Sequence, residues 1–162
     1  MLFRSSINED EVIDLQPISS PPKCLQFLRI EGRLAKLPDW ISELQHLVSL
    51  QIYWTRLSDD PLKAFQNLPN LAELALGNKA YNGEQLQIGK GGFSKLKVLR
   101  LRDLSELNSV NIEKEAFPLL QILTIGGSPQ LKEVPSGFQH LRNLKELIIT
   151  LDRKNTRLNS SH

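Results

Sequence analysis

Hydrophobic positions along the chain recur in one tight unit, clearest at Leu96-Lys97-Val98-Leu99-Arg100-Leu101, with the pattern L-x-x-L-x-L. Six copies begin at Leu25, Leu47, Leu71, Leu96, Leu120 and Leu144, at intervals of 22, 24, 25, 24 and 24 residues. The key triplets are Leu25/Leu28/Ile30, Leu47/Leu50/Ile52, Leu71/Leu74/Leu76, Leu96/Leu99/Leu101, Leu120/Leu123/Ile125 and Leu144/Leu147/Ile149. Leu and Ile fill 42 of the 162 positions, so chance would place one at a given site about one time in four. Eighteen in register is a repeat. The fourth and sixth places of each unit are two residues apart, and a strand sends such residues to the same face. A chain that comes back parallel to itself after each unit stacks these strands into a parallel sheet. The triplets then form one continuous core behind it.

The returns between units vary more. In the first, Leu34 to Leu44, Asp39 is placed to cap a short helix that turns Trp40, Ile41 and Leu44 inward. In the second, Asp60 at the N-cap and Pro61 at the first helical position lead into Leu62, Phe65 and Leu68. The third, Asn78 to Lys95, is long and glycine-rich. Gly83, Gly89, Gly91 and Gly92 flank a short extended run, Gln85 to Ile88, so a loop or small hairpin is expected there. The fourth uses Leu104, Leu107, Val110 and Ile112. The fifth, Leu131 to Phe138, repeats the Leu-x-x-Val/Leu-Pro spacing of the first.

A period in the twenties with this spacing is the leucine-rich-repeat signature. The expected fold is therefore an α/β leucine-rich-repeat solenoid. A curved parallel sheet lines its concave face, and short helices and irregular returns form the convex face. Residues 25–151 are expected to form the repeat domain and residues 1–24 an incomplete leading repeat, with Leu2 and Phe3 as the remnant of a strand. No polar cap shields the first layer, so the chain is expected to continue upstream in its natural context. Residues 152–162 are polar and are expected to be disordered; the string also resembles read-through from a sequencing adapter or vector.

Composition narrows the function. A formal net charge of +2 with 23% charged residues gives no basic stripe or tail of the kind that binds nucleic acid or a membrane surface. Cys24 stands alone, so no internal disulfide is possible, and a reducing compartment is expected. The opening Met1-Leu2-Phe3-Arg4 runs into polar residues and not into the apolar stretch of a signal peptide. No apolar run approaches the eighteen residues of a membrane span.

The positions that the triplets leave free point outward from the sheet and align in columns. The first column is Phe27, Ser49, Glu73, Val98, Ile122 and Glu146. The second is Arg29, Gln51, Ala75, Arg100, Thr124 and Ile148, and the third is Glu31, Tyr53, Gly77, Arg102, Gly126 and Thr150. The core positions barely change, while these columns mix charges, aromatics, aliphatics and glycines, as a surface tailored to a partner would. Phe27, Tyr53 and Trp54 are the aromatic candidates for contact. Lys95, Lys97, Arg100 and Arg102 form a basic cluster with Glu73 adjacent to the arginines, which reads either as a solvated face with one rim ion pair or as the counterpart of an acidic patch on a partner. Candidate partner-binding residues are thus Phe27, Arg29, Glu31, Ser49, Gln51, Tyr53, Trp54, Glu73, Val98, Arg100, Arg102, Ile122 and Thr124. The stretch Gly83 to Gly91 is no phosphate loop: five residues separate Gly83 from Gly89, and Gly91 stands where a hydroxyl residue would hold magnesium. His46, His140 and His162 are scattered and no metal spacing or catalytic constellation is seen, so no cofactor and no enzymatic activity are expected.

The returns LAKLPDWISELQHLVSL and QLKEVPSGFQHLRNLKEL, with the bridging elements DDPL, YNGE and GGFSKL, go beyond what a bare repeat needs. In these the chain resembles the C-terminal repeats of plant nucleotide-binding leucine-rich-repeat disease-resistance proteins of the coiled-coil class. The resemblance covers roughly residues 5 to 151. It implies a cytoplasmic module that senses pathogen effectors, directly or through a guarded host protein, or that holds a nucleotide-binding domain inactive. It implies a fragment of such a receptor, since the coiled-coil and nucleotide-binding domains are absent from this sequence. A substrate-receptor subunit of a ubiquitin ligase and a non-functional receptor fragment are the alternatives.

Overall fold

The computed structural model of the chain describes residues 1–4 and 11–151. Seven strands make the main sheet: β1 (Leu2–Arg4), β3 (Phe27–Glu31), β5 (Ser49–Tyr53), β6 (Glu73–Gly77), β8 (Val98–Arg102), β10 (Ile122–Gly126) and β11 (Glu146–Ile149). They lie side by side in that order, and every neighbouring pair is parallel. The register is the same across the sheet. Leu28 pairs with Leu50, Leu50 with Leu74, Leu74 with Leu99, Leu99 with Leu123 and Leu123 with Leu147. One device fixes it at each strand entry. The carbonyl of Gln26 accepts the amides of Val48 and Ser49, at 2.8 and 3.0 Å. Val48, Ala72, Lys97 and Gln121 each do the same for the next repeat.

Behind the sheet the triplets form the core, as the period requires. The solenoid carries the sheet on its concave side and short or irregular elements on its convex side. All four middle triplets, from Leu47/Leu50/Ile52 to Leu120/Leu123/Ile125, are buried. The last layer is not closed: Leu147 is 39% exposed, whereas its equivalents Leu99 and Leu123 are 0% exposed. A second buried row runs three residues before each unit: Leu44, Leu68, Phe93, Phe117 and Leu141. In it the Phe93 and Phe117 rings lie 5.1 Å apart. Leu44 and Leu68 are return residues expected from the sequence, and Phe93, Phe117 and Leu141 continue their phase.

The returns show how local chemistry meets the repeat. Asp60 caps as expected: its Oδ1 accepts the Leu62 amide at 2.9 Å, and the single turn α1 (Leu62–Phe65) buries Leu62 and Phe65. Its Oδ2 accepts the amide of Gln87 from the next return at 3.2 Å, so one carboxylate ties two repeats together. Asp39 does not cap. The segment Asp39–Glu43 is a 3₁₀ turn preceded by Pro38, with no side-chain cap, because Pro38 already sets an extended backbone at the turn's entrance. What anchors the turn is Trp40, whose Nε1 donates to the Leu15 carbonyl at 2.9 Å.

The run Gln85–Ile88 is extended but is not part of a hairpin. It is β7, and it pairs in parallel with β9 (Ser109–Ile112), one repeat further on. The flanking glycines mark the ends of the strand, and its partner comes from the neighbouring layer. A similar convex pairing joins β2 (Val12–Ile13) to β4 (Arg33–Leu34). Each main strand from β3 to β10 is followed at once by a residue of positive φ: Gly32, Trp54, Asn78, Asp103 and Gly127, with φ of 129, 64, 47, 56 and 65°. Just beyond, buried hydroxyls satisfy backbone groups of adjacent repeats. Thr55 Oγ1 donates to the Ala80 carbonyl at 2.7 Å, and Ser128 Oγ accepts the Leu104 amide at 3.3 Å. The polar segment 152–162, including the expectation that it is disordered, lies outside the described residues.

Candidate functional site

The strand register places the outward residues in the columns expected. Phe27, Ser49, Glu73, Val98, Ile122 and Glu146 are successive partners, as are Arg29, Gln51, Ala75, Arg100, Thr124 and Ile148. In the third column Glu31 pairs with Tyr53, Tyr53 with Gly77, and Arg102 with Gly126. A wall of main-chain hydrogen bonds therefore holds these side chains on one face at fixed spacing. Neighbouring strands lie about 4.8 Å apart.

The two halves of this face differ. On β3, Arg29 is occupied. Its Nε and Nη2 donate to Glu31 Oε1, the former at 2.8 Å, and its Nη1 donates to Gln51 Oε1 at 3.1 Å. Its guanidinium sits 4.7 Å from the centre of the Tyr53 ring. Tyr53 in turn covers Gly77, where an added Cβ would lie 2.8 Å from the ring. Phe27 and Trp54, at 42% and 40% exposed, flank this cluster as free aromatic surface. Ser49 is half-buried between Phe27 and Glu73, and Glu73 is exposed.

On β8 the arginines are free. Arg100 and Arg102 are exposed, and among the described residues neither makes a hydrogen bond or ion pair. The reason lies in their flanks. Arg100 stands between Ala75 and Thr124, and Arg102 has Gly126 beside it, so no neighbour in either column carries a carboxylate. Glu73 is alongside Val98, one row away. Lys95 belongs elsewhere: its Nζ donates to Asn70 Oδ1 at 3.3 Å. Val98 and Ile122 are half-buried beside the arginines.

Thr124 departs from the expectation of an outward contact residue. It occupies an outward register but is only 4% exposed. Taller residues rise on both sides, Arg100 on β8 and Ile148 on β11, while Gly126 next along the strand has no side chain. Toward Gly126 the surface dips into a notch of about 200 Å³ over β10, lined on the β8 side by Arg102 and Asp103 and not by Arg100, which no single-strand pattern reveals.

Titratable groups with shifted acidity lie on the return side. Burial pushes the Asp60 carboxyl up from its ordinary value, against the pull of the Leu62 and Gln87 amides and of Lys63. Burial, with the charges of Asp60 and Asp59, pushes Tyr81 up; its hydroxyl donates to the Gln85 carbonyl at 2.7 Å. Among the described residues no group of three or more His, Cys, Asp or Glu could hold a metal ion, and no helix is long and apolar enough to cross a membrane.

Comparison with known proteins fits this geometry. A family model described as leucine-rich repeat region matches residues 3–161. The chain is 34% identical over 125 residues, 77% of its length, to disease resistance protein RPP8 of Arabidopsis thaliana, of which it covers 14%. It is 32% identical over 146 residues, 90% of its length, to disease resistance protein RPM1 of the same plant, of which it covers 15%. It thus spans about one seventh of the length of the relatives it matches. No solved structure matches the chain significantly.

Proposed function

The chain belongs to the leucine-rich-repeat family and is homologous to plant disease-resistance proteins, and from that premise we propose that it is the protein-recognition module of a plant intracellular immune receptor. In this reading it is the C-terminal repeat region of a coiled-coil-class receptor, it works in the cytoplasm, and it performs no catalysis. Its concave face engages a pathogen effector, a guarded host protein, or the nucleotide-binding domain of its own receptor. Residues 25–151 constitute the repeat domain and residues 1–24 an incomplete leading repeat.

One observation carries the proposal. A sheet whose inward positions are all but uniform presents, in strict register, outward columns that hold free arginines and aromatics. Arginine and aromatic side chains dominate the energetics of protein interfaces. The test is site-specific photo-crosslinking in plant cells, with the photoreactive residue at Gln51 or Arg100 on the concave face and at Lys90 on the convex face. Protein adducts are expected from the concave positions. Adducts that form equally from Lys90, or only from it, would overturn the assignment of the face. The identity of the adduct separates effector, host protein and nucleotide-binding domain.

A further inference from the structure

We propose that the notch over β10 is a receptor site for a single glutamate side chain of the partner protein, with Arg102 as its counter-ion and Arg100 supporting it. The inference rests on the reading of the sheet face as a recognition surface and goes beyond it in naming what is bound and where.

The first argument is the contrast between the two arginine-bearing strands. Arg29 has its charge answered inside the molecule by Glu31 and its planar face covered by Tyr53. Arg100 and Arg102 stand at β8 without a hydrogen bond or ion pair among the described residues, and the nearest carboxylate in the notch, Asp103, lies on its rim against Gly127. Two arginines two residues apart on one strand face leave the backbone about 7 Å from each other. Their like charges make this stretch of the face attractive to an anion.

The second argument is shape. The notch measures about 200 Å³, and a molecule of water takes roughly 30 Å³, so a carboxylate with its methylene stem has room. Its floor is Thr124 and Gly126, and its walls are Arg102 on one side and Ile148 and Thr150 on the other. Ile148 is 41% exposed and offers an apolar surface for a methylene stem, while the guanidinium opposite offers paired donors for a carboxylate.

The third argument is charge. Asp103 lies on the rim, its carboxylate against Gly127. Arg100 stands outside the lining, one step along β8 from Arg102, so the notch itself holds Arg102 and Asp103; counted with Arg100 the surroundings carry one net positive charge, which one carboxylate balances. A phosphate dianion would leave surplus negative charge beside Asp103, so the site suits a carboxylate.

The experiment uses the full 162-residue chain, ¹⁵N-labelled, titrated with a blocked pentapeptide, acetyl-Gly-Leu-Glu-Leu-Gly-amide, and with its Gln counterpart. The Glu peptide is expected to shift the amides of Thr124, Gly126, Gly127 and Thr150 saturably. The Gln peptide should bind at least ~10-fold more weakly, as should the Glu peptide to Arg102→Gln. Arg29→Gln should change binding less than about twofold. Raising salt from about 50 to about 300 mM should weaken the Glu peptide, and inorganic phosphate should not displace it. A matching thermal midpoint for Arg102→Gln and the native chain keeps folding out of the result. Equal binding of the two peptides, or no loss in Arg102→Gln, would overturn the site. If the peptide fails while concave crosslinks form, only the glutamate site falls; if the crosslinks are also absent, the recognition face falls with it.

Discussion

Leu99→Ala and Leu147→Ala remove the same atoms from the same place in the repeat, and the first should cost about twice as much as the second. Leu99 is 0% exposed and Leu147 is 39% exposed. A fully buried Leu contributes about 1.5–3 kcal/mol of transfer free energy. At Leu99 the neighbouring layers on β6 and β10 close over the vacated space, so a cavity cost adds and the total should reach about 2–5 kcal/mol. At Leu147 the layer is open on its far side, so the space left behind is filled by solvent and only part of the transfer term is lost, about 1–2 kcal/mol. The assay is urea unfolding followed by circular dichroism, with the slope of the transition compared among variants. Amide exchange at Leu123 and Leu147 supplies a local readout, because a repeat protein can fray from one end without global unfolding. Equal costs, within about 0.5 kcal/mol, would refute the reasoning. They would mean that the last layer is as enclosed as the middle ones.

Three further substitutions probe the scaffold. Asp60→Asn keeps a capping oxygen but removes the titration. Because burial raises the folded pKa above 3.8, the aspartate's contribution to stability is complete below 3.8 and is lost as pH rises through the raised value. The stability of the native chain relative to Asp60→Asn should therefore grow on acidification from neutral pH, and a flat or falling difference in paired urea titrations would contradict it. Thr55→Val deletes the hydroxyl that donates to the Ala80 carbonyl, which keeps the Leu57 amide as a second donor; a loss of about 0.5–1.5 kcal/mol is expected, and a neutral result would deny that bond a role. Gly77→Ala puts a methyl 2.8 Å from Tyr53, so the ring must move off Arg29; the expected net cost is about 1 kcal/mol with a displaced Tyr53 ring in the NMR spectrum, and a gain in stability would show that the contact is not tight.

The fold was legible because two periods coincide. The spacing of two within L-x-x-L-x-L marks a strand face, and the spacing near 24 stacks those faces, so the columns from Phe27 to Glu146 follow without coordinates. What escaped depends on pairing between returns. Gln85–Ile88 carries glycine signals that a local reading takes for a hairpin, yet its partner Ser109–Ile112 lies a whole repeat away. The same holds at the site. Arg29 and Arg100 share a column and look alike in sequence. Only the neighbours separate them, Gln51 and Glu31 for one, Ala75 and Thr124 for the other. Thr124 looked exposed because its own strand offers no hint of the taller side chains to either side.

The doubly accepting carbonyl at each strand entry turns the face into a lattice of constant pitch. Rows repeat every ~4.8 Å across the strands and every ~7 Å along them. A three-residue set such as Val98, Arg100 and Arg102 can therefore be transplanted to another strand, and its position relative to every other set is known in advance. Lineages that exchange whole repeats would move a ready-made line of contacts by a fixed step, and an engineer could write specificity on this surface one line at a time.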